Sequence, residues 1–302
     1  MKLIIALVFL CVSYNTLAQN KSPEVNSPES SQFIDSLSQY LATFNNQPET
    51  VDITADFWDT SKIKIDYDTE VAYPIHIQFK DSNYVSPISK KKVVTSRYGW
   101  RWGRAHKGID IDLVTGDSLF AMFDGVVRFA DYSSGHGRTV VVRHHNGLET
   151  LYAHLSRYGV KENDTVVAGS YLGKGGASGN ARGSHLHLEM TYNGIHIHPE
   201  NLLYFDEDNL VKSKDLWITK TSTRPELHNS RRQSKLEIFS TEEEALASMN
   251  RAPIVYIVKK GDTLSRISSK NNVSIYSLCK TNHIRQNSTL RIGQKLVIEK
   301  VL

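Results

Sequence analysis

Gly183-Ser184-His185-Leu186-His187-Leu188-Glu189-Met190 reads as a β-strand. Side chains alternate between the faces of a strand, so His185, His187 and Glu189 share one side while Leu186, Leu188 and Met190 share the other. One face is made to pack and the other to do chemistry. Two imidazoles one strand-step apart can serve one metal centre, one as ligand and the other beside it as an acid or base, because imidazole titrates near neutrality and also ligates Zn²⁺. A lone His-x-His is a weak signal, and its partners must come from elsewhere.

They are found upstream, in Trp100-Arg101-Trp102-Gly103-Arg104-Ala105-His106-Lys107-Gly108-Ile109-Asp110. Fully extended chain would hold His106 and Asp110 about 13 Å apart, too wide for two ligands on one ion at about 2 Å each. The chain must therefore bend between them, and Gly108 permits it. Gly108 followed by Ile109 and Ile111 argues for strand rather than helix. With His187 added, the set becomes two histidines and one carboxylate. That leaves zinc a fourth position for water, the mark of a catalytic rather than a structural site.

The surroundings are β-rich. Residues 86–205 are dense in glycine, β-branched residues and turn pairs, with no long helical period. Asn146-Gly147 between Thr139–His145 and Leu148–His154 signals a hairpin with a two-residue turn. Counting back from that turn pairs Thr139 with His154 and puts His154 on the same face as Tyr152. Before this domain, residues 19–31 read as a mobile leader, Phe33 to Phe44 as one amphipathic helix, and Asp52 to Asp81 as short strands with His76 facing solvent. Residues 206–252 turn polar and uneven and read as a linker, with one short helix capped by Thr241 and Glu244. The last fifty residues, 253–302, read as strand, helix, helix, strand.

The chain of 302 residues has room for about two domains, and 40% hydrophobic residues suit a globular protein with a sizeable core. At its start, Lys2, a roughly ten-residue apolar run from Leu3 to Val12, and Thr16-Leu17-Ala18 read as a secretory signal peptide over residues 1–18. The run is too short to span a bilayer. An uncleaved anchor, or a lipid attached at Cys11, fits less well because Ala18 suits cleavage and Leu10 is bulky for a lipidation site. No later run approaches membrane-spanning length. Removing residues 1–18 takes away the single charge of Lys2, so the net charge falls from +4 to +3. So mild a balance does not imply nucleic acid, and it is compatible with an anionic cell-wall polymer. Cys279 is then the one cysteine left, so no internal disulfide is expected.

Three blocks, His106-Lys107-Gly108-Ile109-Asp110, Leu151-Tyr152-Ala153-His154-Leu155 and His185-Leu186-His187, resemble the signatures of the LytM/lysostaphin-type zinc endopeptidases, which cut peptide bonds in peptidoglycan. The similarity runs from about Val94 to Leu203. It implies a mainly β catalytic domain with an antiparallel sheet of the duplicated-hybrid-motif type. It implies one Zn²⁺ held by His106, Asp110 and His187, with His154 and His185 as the non-ligand catalytic pair, their individual roles left open. Ser184 stands where the family usually has proline. Asp112 stands where it favours a small residue, and being on the face of Asp110 it could compete as a ligand.

The C-terminal unit resembles a LysM domain, a small α+β (βααβ) module that binds N-acetylglucosamine chains of peptidoglycan. Its landmarks are Val258-Lys259-Lys260-Gly261-Asp262-Thr263-Leu264, Asn282 and Ile292-Gly293-Gln294-Lys295-Leu296. The resemblance puts glycan binding in Gly261, Asp262, Thr263 and Leu264, and in the loop from Asn282 to Ser288. The joint expectation is an exported hydrolase of the periplasm, cell envelope or exterior, a D,D-endopeptidase of wall crosslinks with no nucleic-acid partner and no stable membrane span. A catalytically silent wall-binding adaptor or amidase activator is the other class, but degenerate relatives of that kind usually lack ligands. A carrier-like β-sandwich fails because no lysine sits at the expected turn tip.

Several features look functional and read more simply as structure. His196-Ile197-His198 has no evident carboxylate partner and reads as exposed strand histidines. His136, His144 and His145 flank glycine turns and read as surface or cleft-rim residues. The glycines between Gly173 and Gly183 lack a Gly-Lys-Ser/Thr ending, so they suit a wall that lets substrate backbone approach rather than a phosphate cradle. Trp100 and Trp102 lean to core. Cys279 reads as a buried small hydrophobe. The N-terminal region could cover the groove as an inhibitory segment.

Overall fold

A computed structural model describes residues 52–67, 70–231, 233–250 and 253–299. The expected signal peptide, leader and first helix, residues 1–51, lie outside the described residues. The chain divides into two compact units, Met1–Asp52 and Ile53–Leu302, and all that follows concerns the second. Among the described residues, no helix is long and apolar enough to cross a membrane.

The architecture is antiparallel β. In chain order the strands are β1 (Ile75–Gln78), β2 (Val94–Ser96), β3 (Gly99–Arg101), β4 (Arg104–His106), β5 (Gly108–Asp112), β6 (Ser118–Phe120), β7 (Gly125–Ser133), β8 (Gly137–His144), β9 (Leu148–Tyr158), β10 (Thr165–Val166), β11 (Tyr171–Gly175), β12 (His185–Tyr192), β13 (Ile195–Ile197) and β14 (Asp215–Ile218). The main sheet runs β10-β7-β8-β9-β12-β5-β2, with β11 pairing both β9 and β6, and β13 pairing β12. β3 and β4 form a separate two-stranded ribbon.

Alternation in β12 is realised as read. Leu186, Leu188 and Met190 are fully buried with Ile109, Ile111, Val140, Val142 and Tyr152 in the main core, each apolar side chain contributing about 1.5–3 kcal/mol on burial. The opposite face of the sheet carries a smaller cluster of Phe129, Val141, Leu151 and Ala153, covered by Ile63. β5 lies against β12 with Asp110 opposite His187 and Asp112 opposite His185. Gly108 is needed for that approach. A Cβ there would stand 2.3 Å from the Leu188 carbonyl oxygen, so only glycine lets β5 start where it does.

The β8–β9 connection corrects the counted register. The Gly147 N–H donates to the His144 carbonyl at 3.0 Å, and Arg143 pairs with Glu149 and Val140 with Tyr152. From the turn as far as Val140 the ladder is thus one residue out from the expectation. Between the Val140–Tyr152 and Arg138–Leu155 pairs, β9 advances one residue more than β8. This is a β-bulge, and His154 within it has φ 64°. The extra residue breaks alternation, so Tyr152 and Leu155 enter the main core while His154 turns to the other face. The reading that put His154 on the Tyr152 face fails for this reason.

Within the stretch expected as a linker, residues 206–252, described segments pack into the fold. β14 pairs antiparallel with β1, Ile75 opposite Ile218 and Ile77 opposite Leu216, and these four side chains lie in the main core. Four residues, Asp215-Leu216-Trp217-Ile218, leave too short a pattern to stand out in polar sequence. His76 is on the solvent side as read, 3.1 Å from Asp215. Beyond the short helix α1 (Pro199–Leu202), α2 (Glu242–Met249) is capped as expected, with Thr241 Oγ1 accepting from the Glu244 N–H at 3.3 Å.

Upstream, residues 53–63 are bound to the sheet by buried charge. Arg128 donates to the carbonyls of Asp59, Lys62 and Ile63, and Arg143 to those of Ile53, Asp56 and Phe57. Glu149 lies between the two guanidinium groups, 2.6 Å from Arg128 Nε and 2.9 Å from Arg143 Nε. The carbonyls and the carboxylate together satisfy groups that would be costly to bury alone.

The C-terminal unit has the expected βααβ order: β15 (Ile254–Ile257), α3 (Leu264–Lys270), α4 (Ile275–Thr281) and β16 (Lys295–Ile298). Thr263 and Ser274 cap the helices through the N–H groups of Arg266 and Ser277. Val258, Leu264, Ile267, Leu278, Leu296 and Ile298 fill its core, and Cys279 is buried there as read.

Candidate metal centre

Side chains from three strands, His106 of β4, Asp110 of β5 and the sequence-distant His187 of β12, meet at one point. His106 Nε2 is 3.0 Å from Asp110 Oδ1 and 3.1 Å from His187 Nδ1, and His187 Nδ1 is 2.8 Å from Asp110 Oδ1. All three residues are buried. His106 ends β4, Lys107 interrupts the strand, and Asp110 sits in β5, so the required bend is a break between two strands of different sheets.

The other ring nitrogens decide which atoms face the centre. His106 Nδ1 is 2.7 Å from the Arg97 carbonyl, and His187 Nε2 is 2.9 Å from Glu189 Oε1. Each of those nitrogens carries the hydrogen, so Nε2 of His106 and Nδ1 of His187 turn lone pairs toward a carboxylate oxygen. Three such acceptor atoms within about 3 Å repel one another unless a proton or a metal cation lies among them.

The titration behaviour says the same. Burial opposes charge on His187, but hydrogen bonds to Asp110 and Glu189 outweigh it and push the imidazole up to about 9. Burial also opposes charge on Asp110, yet His106 and His187 hold its carboxyl well below the usual carboxylate range. His106 is lowered by burial, which its bond to Asp110 only partly offsets. The cluster favours positive charge where the three atoms meet, and two imidazoles with one carboxylate suit a divalent ion of the zinc type.

Asp112 does not join them. It is exposed at the end of β5, and the described clusters able to hold a metal are His106–Asp110–His187 and His136–His187–Glu189. Arg101 does touch the centre, its Nη1 lying 2.9 Å from Asp110 Oδ2.

His154 and His185 are beside the cluster, their ring centroids 4.7 Å apart. His154 Nδ1 is 2.8 Å from the Ser178 carbonyl and His185 Nδ1 is 2.9 Å from the Gly183 carbonyl, which leaves Nε2 of each uncommitted. His185 Nε2 is 3.7 Å from Asp110 Oδ1. Burial, then the nearby His187 and His185, bring His154 down to about 4, so it is neutral at physiological pH.

Sequence reading missed what surrounds Glu189. His136 Nε2 lies 3.2 Å from Oε1, and His196 Nδ1 lies 3.0 Å from Oε2. His196 therefore has the carboxylate partner it was expected to lack. The signal existed: pairing across Asn193-Gly194 sets His196 opposite Thr191, on the face that Glu189 shares. His198 is fully buried as the cap of α1, accepting from the Glu200 N–H. His144 is buried too, bonded to Asp124 and Thr150 rather than placed at the surface.

The cleft over this centre is rimmed by Trp102, Arg104, Lys107, His136, Arg182 and Ser184. Neither tryptophan is a core residue as expected. Trp102 is 66% exposed, and Trp100 stacks on Tyr276, centroids 3.9 Å apart. Among the described residues, none between 52 and 85 lines the cleft.

In the C-terminal unit, most residues expected at the glycan have structural duties. Asp262 Oδ2 accepts from the Lys259 N–H and from the Tyr256 hydroxyl, both at 2.8 Å. Thr263 caps α3, and Leu264 is buried. The Asn282 amide donates to the carbonyls of Leu278 and Val297 and accepts from the Val297 N–H, tying α4 to β16. Gly261, at φ 81°, shapes the turn.

Two stretches of the chain match known families. Residues 104–199 match peptidase family M23, so the centre lies in an M23 peptidase domain. Residues 256–299 match the LysM domain, and the chain thus joins an M23 domain to a LysM domain. It is 36% identical over 130 residues to the DD-carboxypeptidase/endopeptidase Mpg of Neisseria meningitidis serogroup B, covering 41% of this chain and 30% of that protein. It is 36% identical over 124 residues to the peptidoglycan DD-endopeptidase ShyC of Vibrio cholerae serotype O1, covering 41% of this chain and 29% of that protein. The matches thus span about a third of those relatives' length. Among solved structures, the catalytic domain of the prophage-encoded M23 protein EnpA from Enterococcus faecalis is 33% identical, covering 38% of this chain and 95% of that one, with a TM-score of 0.36.

Proposed function

We propose that this chain is an exported zinc-dependent endopeptidase that hydrolyses peptide crosslinks of peptidoglycan, a D,D-endopeptidase held on N-acetylglucosamine chains by its LysM domain. The observation that carries it is the convergence of His106 Nε2, Asp110 Oδ1 and His187 Nδ1 beside two further imidazoles with uncommitted Nε2 atoms. A silent adaptor has no use for that set. The relatives' names, a DD-carboxypeptidase/endopeptidase and a peptidoglycan DD-endopeptidase, favour a D-alanyl crosslink over an oligoglycine bridge.

His106, Asp110 and His187 would hold the zinc. When bound, it would polarise the scissile carbonyl and lower the pKa of a water toward neutrality. The protein's own part is proton handling. His154 and His185, with Nδ1–H committed to carbonyls, can accept a proton only through Nε2 and, once protonated, can donate to the oxyanion or to the departing amine. Ser178 and Gly183 fix both rings, so little reorientation is needed at the moment of reaction. Attachment to glycan raises the effective concentration of the cleft near its crosslinks.

Mass spectrometry of products from defined crosslinked muropeptides tests the reading. The D-alanyl crosslink should be cut, an oligoglycine bridge should not, and a chelator should stop the reaction. Failure to cut any crosslink with zinc supplied would overturn it.

A further inference from the structure

The β3–β4 ribbon carries one donor of the metal centre, His106, and Arg101, the partner of a second, on very little structure. His106 ends β4, paired with Gly99, and Arg101 at the end of β3 holds Asp110. Each strand is three residues long, and the ribbon is not part of the main sheet. A ribbon of that size is not stable alone in water. What backs it therefore decides how firmly His106 is held and how firmly Arg101 is aimed at Asp110.

The backing comes from beyond the M23 match. The Trp100 N–H donates to the His228 carbonyl at 2.9 Å, and Gly99 lies so close that a Cβ would stand 2.7 Å from the His228 carbonyl carbon. The Trp100 ring stacks on Tyr276 in the first turn of α4, centroids 3.9 Å apart and planes at 15°. Around that stack, Ser274 Oγ donates to the Glu226 carbonyl, and Arg224 pairs with Glu226 at 3.0 Å and Glu299 at 3.2 Å. Side chains alternate along a strand, so Trp100 faces the LysM domain while Arg101 faces Asp110.

We propose that the LysM domain braces the metal centre as well as anchoring the enzyme. Tyr276 is a positioning residue: through Trp100 it fixes the strand that aims Arg101 at Asp110 and that pairs with the end of β4 at His106. This rests on the metal-site reading above. Tyr276 lies outside both loops expected to meet glycan, so bracing and glycan binding are separable.

The test uses the full chain, with zinc affinity measured by competition against a chromophoric chelator and hydrogen exchange followed over residues 99–106. Tyr276→Ala is expected to weaken zinc binding about tenfold, as loss of an outer support does, and to speed exchange in the ribbon, with retention on purified peptidoglycan unchanged. Tyr276→Phe, which keeps the aromatic face, should restore both. Trp100→Leu removes the stack from the other side and decides the matter if Tyr276→Ala unfolds the LysM domain. A folded Tyr276→Ala or Trp100→Leu protein with wild-type zinc affinity overturns the proposal, as does Tyr276→Phe failing like alanine. A wild-type chain that binds no zinc would instead overturn the metal-site reading beneath it.

Discussion

Glu189→Gln is the most informative single change at the centre. Glu189 is 4% exposed, and its carboxylate meets His187 at 2.9 Å, His136 at 3.2 Å and His196 at 3.0 Å. Burial alone would raise its pKa, yet hydrogen bonds from His136 and His187, with the His196 ring close by, hold it well below the usual range, so it is a fixed negative charge. Glutamine keeps the shape and can still accept the His187 Nε2–H through its carbonyl. What it removes is the charge that makes His187 the more basic at Nδ1, the atom turned to the metal. Outer partners of this kind are worth about 10–100-fold in metal affinity, or roughly 1.4–2.7 kcal/mol. Chelator competition at fixed pH reads that loss directly, and kcat/KM on a crosslinked muropeptide at saturating zinc reads how much of it is recovered by mass action. Zinc affinity within about twofold of wild type in a folded Glu189→Gln protein would refute the assignment, since no effect of the expected size would then pass through Glu189.

Other outcomes separate the roles at the centre and the frame beneath it. His187→Ala and Asp110→Ala should abolish zinc binding, whereas His154→Ala should keep the metal and lose about 10²–10⁴-fold in turnover; near-normal activity in His154→Ala would remove it from the mechanism. Gly108→Ala, with its Cβ 2.3 Å from the Leu188 oxygen, should destabilise the fold by about 1–3 kcal/mol and weaken zinc binding, and an unchanged urea midpoint would contradict the close approach. Burial brings His144 and His228 down to about 4. A depressed imidazole contributes stability that is complete above the unfolded value of about 6.5 and is lost as pH falls toward the folded one. Urea melts between pH 7 and 4.5 should therefore show stability falling with acid by up to about 3 kcal/mol per group, and His144→Gln should flatten the curve. A slope unaltered by that change would show the proton is taken up elsewhere.

Much of this protein follows from local pattern alone. Alternation in β12 separated Leu186, Leu188 and Met190 from His185, His187 and Glu189, and the spacing of His106 and Asp110 required a bend, which falls at Lys107 while Gly108 serves the close approach to Leu188 instead. The βααβ order of the last fifty residues was equally plain, because short apolar runs form its strands and helix-spaced apolar residues its helices. These are properties of neighbours in sequence, which physics reads within a few residues.

Other features belong to contacts between distant segments. The bulge that turns His154 away from Tyr152 arises only when β9 is laid on β8, since nothing in Ala153-His154-Leu155 marks an extra residue before a partner strand sets the register. β14 became core by finding β1 from more than a hundred residues away, and Asn282 was spent on Val297 rather than on a ligand because α4 and β16 meet there. The charge on Glu189 draws three histidines from separate strands and turns. The sequence names the donors; the tertiary structure alone decides which nitrogen of each ring is free, because that depends on the carbonyl or carboxylate the other nitrogen happens to meet.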